Sequence, residues 1–109
     1  MINVASFVAL VGAATSQISY TASKGAVLSL SKELGVQFAR RGIRVNAVAP
    51  GATKTPMHAP EMYEFLAGLH PIGRMGEVSE IVDAVLYLES AAFTTGEILH
   101  VDGGQSAGN

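Results

Sequence analysis

The sequence predicts an α/β protein built on a parallel sheet, and three observations carry that prediction. An apolar strand end, Met1 to Ser6, is followed by one long helical pattern and then by a second apolar strand closed by Pro50-Gly51. Strand, helix and strand with short joints call for a crossover between parallel strands. A further helix and a last strand, Glu97 to Asp102, repeat the alternation. In such sheets the ligand crevice lies beyond the C-terminal ends of the strands. Ser6, Pro50, Gly51 and the start of the long helix all fall on that rim.

The elements are justified in turn. Met1-Ile2-Asn3-Val4-Ala5-Ser6 opens inside a strand, with no turn or cap before it. The chain is therefore expected to be the downstream part of a longer protein; the alternative is a short natural start on an edge strand. Phe7 to Thr15 is small and apolar and is expected as a loop against the core, with Ser16 or Ser19 capping the helix that follows. That helix is expected from about Ser19 to Arg41. Val27, Leu30, Leu34 and Phe38 recur at steps of three and four and form one apolar stripe, widened by Ala22 and Ala26. Gly42 is the expected C′ residue, and Arg40 and Arg41 suit the negative end of the helix dipole.

Ile43 to Ala49 predicts the second strand. Ala52 to Ala59 is expected to be an irregular substrate loop. Pro60 to Leu69 predicts a short helix with Met62, Phe65, Leu66 and Leu69 on one side. Pro71 to Gly76 is a turn, and Glu77 or Ser79 starts a helix to about Ser90 with Ile81, Val82, Val85, Leu86 and Leu88 as its stripe. Thr95-Gly96 turns the chain into the last strand, closed by Gly103-Gly104. Gln105 to Asn109 is polar and expected to be loose.

Composition excludes several classes. Apolar residues make up 49% of the 109, enough for a core. The net charge is −2, and Arg40, Arg41 and Arg44 are the only basic cluster, which argues against nucleic acid as a partner. The absence of cysteine excludes disulfides and thiolate metal sites. The apolar runs are too short to span a membrane. A soluble, cytoplasmic protein is expected. Three scattered histidines make no metal site: His58 reads as solvated, His70 and His100 as structural. Arg74 reads as surface or interface structure.

Tyr20 and Lys24 carry the chemistry. Four residues apart on a helix, they share one face one turn apart. A phenol is a poor base at neutral pH, and an adjacent ammonium favours its phenolate form. Chance alone supplies such a pair in roughly one chain in five of this length, so the flanking motifs decide. Those motifs are Asn3-Val4-Ala5-Ser6, Tyr20-Thr21-Ala22-Ser23-Lys24, Arg44-Val45-Asn46-Ala47-Val48-Ala49-Pro50-Gly51, Pro71-Ile72-Gly73-Arg74-Met75-Gly76-Glu77 and Thr95 to Gly104. Together, and in this order, they resemble the C-terminal portion of short-chain dehydrogenases/reductases.

The resemblance implies the C-terminal part of a Rossmann-type doubly wound parallel sheet, with three strands and their helices. It implies a hydride transfer between NAD or NADP and a carbonyl or secondary alcohol, of the 3-oxoacyl or small-ketone reductase kind. Tyr20 is then the general acid or base. Lys24 favours its phenolate and bonds the nicotinamide ribose, and Ser6 holds the substrate oxygen. Tyr20, Lys24, Pro50, Gly51, Thr53 and Thr55 contact the cofactor, Gly51 because a side chain there would obstruct the nicotinamide. A homo-oligomer, dimer or tetramer, is implied for the complete protein.

Three departures qualify the match. Fourteen positions separate Ser6 from Tyr20, one more than is usual, so Ser16 and Ser19 stay open as the serine. Thr53 stands where the family has Val or Ile. The Gly-rich T-G-x-x-x-G-x-G turn, the residue choosing NAD or NADP, and the tetrad asparagine have no counterpart in the 109 residues; Asn3 is a strand residue. Residues 1–109 therefore read as roughly two-fifths of a domain of about 250 residues. The isolated chain is expected to be inactive, and a noncatalytic fragment or interaction module is the alternative reading.

Overall fold

The strand Asn46–Pro50 (β2) is buried on both faces up to its last residue, as the apolar run Ala47 to Ala49 favours. It is the middle of a three-stranded parallel sheet, flanked by Ile2–Val4 (β1) and Ile98–Val101 (β3). The computed structural model describes residues 1–5, 18–56 and 59–108. Val4 pairs with Val48, and Val48 in turn with Leu99. The three strands thus end on one rim, where the sequence places the crevice. Expectations for Ser6, the loop from Phe7 to Thr15, Ser16, Met57, His58 and Asn109 fall outside the described residues.

Helices cover both faces. Ile18–Gln37 (α1) packs Leu28 against Ala5 and Ala47, while Val78–Ser90 (α3) packs Ala84 and Leu88 against Val48. Adjacent residues of β2 therefore feed opposite layers, as the pleat dictates. The strand begins later than expected because the residues before it are committed elsewhere. The Ile43 amide returns to Phe38 O at 3.3 Å, and the Val45 amide donates to Thr95 Oγ1 at 3.1 Å. Asn46 is polar yet buried, and both ends of its amide are satisfied. Nδ2 donates to Thr94 O at 3.1 Å, and Oδ1 accepts from the Glu97 amide at 3.0 Å.

The long helix departs from the expected pattern in two ways. Its α-helical part stops at Gln37, and a 3₁₀ turn at Ala39–Arg41 completes it before Gly42, which takes the left-handed conformation at φ 77°. Its buried face is also rotated from the stripe read in the sequence. Leu28, Ser31 and Gly35 are buried, whereas Leu30 is 54% exposed. The reason is close approach: Gly35 abuts the backbone of Gly96, and Ser31 accepts from Asn3 Nδ2 at 2.9 Å while donating to Val27 O. Small and internally satisfied residues let the helix lie low on the sheet, where a leucine stripe would hold it away.

The segment from Pro60 opens as a 3₁₀ turn, Pro60–Met62, and continues as a short helix, Tyr63–Gly68 (α2). Its apolar side is open: Met62, Phe65 and Leu69 are exposed. On α3, Val82 and Leu86 are likewise exposed, so its stripe is narrower than expected and centres on Ala84 and Leu88. The tail is ordered rather than loose, because Asp102 caps it. Its carboxylate accepts from the amides of Gly104 at 3.0 Å and Ser106 at 3.2 Å, and Gly108 N–H bonds Gly104 O.

Arg44 closes the other end of α3. Its guanidinium donates to Leu88 O at 2.9 Å, Glu89 O at 2.6 Å and Thr94 O at 3.2 Å, three carbonyls at or just past the helix end. Arg44→Met keeps most of the stem but removes the donor to Leu88 O and Glu89 O and leaves Thr94 O with Asn46 Nδ2 alone. A loss of about 2–4 kcal/mol is expected in urea unfolding, and a loss below 0.5 kcal/mol, the ordinary ~0.5 kcal/mol scatter of surface substitutions, would contradict the role.

The N-terminus of α3 is a capping box of Glu77 and Glu80. The Glu80 carboxylate also takes both Arg74 guanidinium nitrogens, at 2.7 and 2.9 Å. The Arg74 hydrogen bonds and the Glu77 amide together lower its pKa from 4.5 to about 2. For Asp102, burial acts to raise the pKa, but the hydrogen bonds from Ser106 and Gly104 and the nearness of His100 outweigh it, leaving the group below its ordinary value. Both native-state pKa values are depressed. Their stabilisation is therefore complete above the unfolded pKa and is lost as pH falls through the folded one. Stability should decline between pH 4.5 and about 2. Glu80→Gln should flatten that decline in circular-dichroism titrations.

Candidate active site

Tyr20 and Lys24 stand one turn apart near the start of α1, as their spacing requires. Lys24 Nζ lies 5.7 Å from the centre of the Tyr20 ring. The same ammonium reaches Val4 O, the last carbonyl of β1, at 3.4 Å. The cation is therefore shared between the phenol and a strand end. Tyr20 is 48% exposed. Ser19 precedes Tyr20 directly, and neighbours on a helix do not share a face. Ser19 is therefore not aligned with the pair, and Ser6 and Ser16 lie outside the described residues.

Pro50 and Gly51 sit on the same rim, one strand over. Val4 pairs with Val48, two residues before Pro50. With ordinary strand spacing and rise, the Lys24 anchor and Pro50 are about 8 Å apart. Gly51 N–H donates to Val101 O at 3.0 Å and so joins β2 to β3 at their ends. The reason for glycine at this position differs from the one expected. A Cβ there would stand 2.6 Å from His70 Nε2 and 3.0 Å from Asp102 Cα. The room for a side chain is filled from inside the protein.

Thr53 forms an isolated parallel bridge with Gly76, in which Gly76 provides both partners: its amide bonds Ala52 O and its carbonyl accepts from Lys54. In a parallel bridge the opposite residue's own amide and carbonyl point the other way. The backbone of Thr53 is thus turned from Gly76, while its hydroxyl donates back to Gly51 O at 3.2 Å. Thr55 follows, half-buried.

The rim also holds a cavity of ≈ 180 Å³ on the β3 side, lined by His70, Arg74, Glu80, His100 and Asp102 among others. It lies away from Tyr20 and Lys24, and its charged groups are bonded to one another or to backbone. Arg74 is not a bare surface residue, since it fixes the α3 cap. Among the described residues no group of three histidines and carboxylates is arranged to hold a metal, and no helix is long and apolar enough to cross a membrane.

Residues 1–106 match the family model described as enoyl-(acyl carrier protein) reductase. The chain belongs to the short-chain dehydrogenase/reductase family. Among the family's members it is similar to glucose 1-dehydrogenase of Gluconobacter oxydans (strain 621H), with 46% identity over 94 residues, covering 80% of this chain and 35% of the relative. It is 42% identical over 104 residues to the human 3-oxoacyl-[acyl-carrier-protein] reductase, covering 95% of this chain and 44% of that protein. A solved short-chain dehydrogenase/reductase structure, ElxO with NADP bound, superposes with a TM-score of 0.90 at 32% identity over 97% of this chain and 46% of its own. The Rossmann-type parallel sheet follows from that match. The chain spans less than half the length of these relatives.

The sequence reads His70 only as structural and assigns Asn46 no role of its own. Each is a polar residue in an apolar setting, and that setting was the available signal: buried polar groups find partners.

Proposed function

We propose that this chain supplies the catalytic half of an NAD(P)-dependent oxidoreductase that interconverts a carbonyl and a secondary alcohol. The observation that supports it most is the Tyr20–Lys24 pair, with its ammonium on the last carbonyl of β1 at the C-terminal rim of a parallel sheet. The donor set suits a nicotinamide nucleoside. An ammonium and a phenol are partners for ribose hydroxyls, and the outward backbone of Thr53 is a partner for a carboxamide. When bound, the cofactor gives or takes the hydride.

The chain's own residues handle the proton and the geometry. In reduction the Tyr20 hydroxyl donates its proton to the substrate oxygen; in oxidation the phenolate takes it back. Lys24 holds the ribose. Ser6 bonds the reacting oxygen, and Pro50, Gly51, Thr53 and Thr55 border the cofactor. A 3-oxoacyl or small-ketone substrate is proposed, in keeping with the reductase relatives. Residues 1–109 act as the C-terminal portion of one Rossmann-type domain whose Gly-rich half selects NAD or NADP. The 109 residues alone bind no dinucleotide usefully. The working protein is a cytoplasmic homo-oligomer, a role to which the exposed Leu30 and Val36 on α1 lend themselves.

The test is a chimera that joins residues 1–109 behind the N-terminal half of the human reductase relative. Oxidation of NADPH or NADH is followed with ketone and 3-oxoacyl thioester substrates. Turnover is expected; a folded, cofactor-binding chimera that reduces no carbonyl refutes the reading. It would favour a noncatalytic module, for which the short span relative to the relatives speaks. In parallel, calorimetry on the isolated chain should show no tight NADH or NADPH binding.

A further inference from the structure

The excursion from Ala52 to Leu69 leaves the rim and returns to it, and one side chain sits where its two feet meet. His70 is only 4% exposed and follows the last turn of α2, its amide bonded to Ala67 O at 3.2 Å. Its Nε2 accepts the Ala52 amide at 3.1 Å. The ring is wedged between two glycines. A Cβ on Gly51 would stand 2.6 Å from Nε2, and one on Gly103 would stand 3.1 Å from His70 Cβ and 3.5 Å from Cδ2. The ends of β2, β3 and α2 therefore close around one imidazole.

A backbone amide can only donate, so the nitrogen facing it carries no proton. In the neutral ring the proton is then on Nδ1, which is buried and, among the described residues, has no partner. An unpaired buried N–H is unfavourable, a penalty that leucine would avoid while filling much of the same space. What the imidazole provides and leucine does not is an acceptor for Ala52. Of the charged and titratable groups that line the same cavity, Asp102 accepts from Gly104 and Ser106, Arg74 pairs with Glu80, and His100 is exposed.

We propose that His70 is a positioning residue whose Nε2–Ala52 hydrogen bond fixes the turn leading into Thr53 and Thr55. The consequence for the cofactor rests on the functional reading above; the hydrogen bond and the tautomer do not.

The experiment is NMR on the ¹⁵N-labelled chain. The imidazole of His70 should show the Nδ1–H tautomer with a bare Nε2. His70→Leu should speed exchange of the Ala52 amide by about tenfold, the equivalent of one ordinary hydrogen bond, with little change at Val48 or Leu99 inside the sheet. His70→Gln, whose amide oxygen reaches the position of Nε2, should restore most of the protection. An Nε2–H tautomer, equal Ala52 exchange in His70→Leu and the unmutated chain, or a Gln variant no better than Leu would each overturn the proposal. If His70→Leu does not fold, the tautomer in the unmutated chain and the Gln variant decide it. An inactive chimera with these signals intact counts against the functional reading alone.

Discussion

Tyr20→Phe in the catalytic chimera is expected to lower turnover by about 10²–10⁴-fold, the ordinary contribution of a positioned general acid or base. The change removes one oxygen from a side chain that is nearly half exposed, so the fold should be unaffected. Lys24 keeps its contact with Val4 O and its place beside the ring. Cofactor affinity should therefore stay within a few-fold, and the loss should appear in kcat rather than in the KM for NAD(P)H. Undiminished kcat in this variant would remove Tyr20 from the proton path. A loss confined to cofactor KM would leave Tyr20 only its ribose-binding role.

Gly35→Ala is expected to destabilise the chain by about 2–3 kcal/mol, against the direction that helix propensity alone gives. Replacing a mid-helix glycine by alanine favours the helix by about 1 kcal/mol. Here the added methyl would stand 2.6 Å from Gly96 N and 2.7 Å from Gly96 Cα. Those atoms are backbone and cannot rotate away, and overpacking of this kind ordinarily costs about 1–3 kcal/mol, sometimes more. The contact is also braced: Thr95 Oγ1 donates to Gly35 O at 3.1 Å, and Gly96 N–H to Val45 O at 2.8 Å. Lifting α1 at this point weakens both. Urea unfolding decides the sign, and an alanine variant as stable as the parent would show that the helix can shift freely.

Much of the architecture was legible because punctuation and periodicity act locally. Gly42 stops a helix by its φ, and Pro50-Gly51 stops a strand. The relative placement of Tyr20 and Lys24 was legible because four-residue spacing on a helix fixes it. The face that α1 buries was not legible. Hydropathy weights Leu30 heavily and Ser31 and Gly35 hardly at all, yet close packing against a sheet is decided by how little a residue protrudes. Ser31 escapes the polar penalty through bonds to Val27 and Asn3, and one of those partners is distant in sequence. The tail was misread for a similar reason, since the carboxylate that orders it belongs to Asp102, before the polar stretch begins.

His70, read as merely structural, shows the limit from the other side. Its partners are a glycine, an alanine amide and another glycine, none of which announces itself in a sequence. Those contacts also couple the fates of two positions. A Cβ on Gly51 would meet the imidazole first, at 2.6 Å, and the Asp102 Cα next, at 3.0 Å, so the imidazole keeps its place because position 51 is bare. Variation at the two should be epistatic: a side chain at position 51 is less harmful once position 70 shrinks, though the Asp102 backbone still limits it.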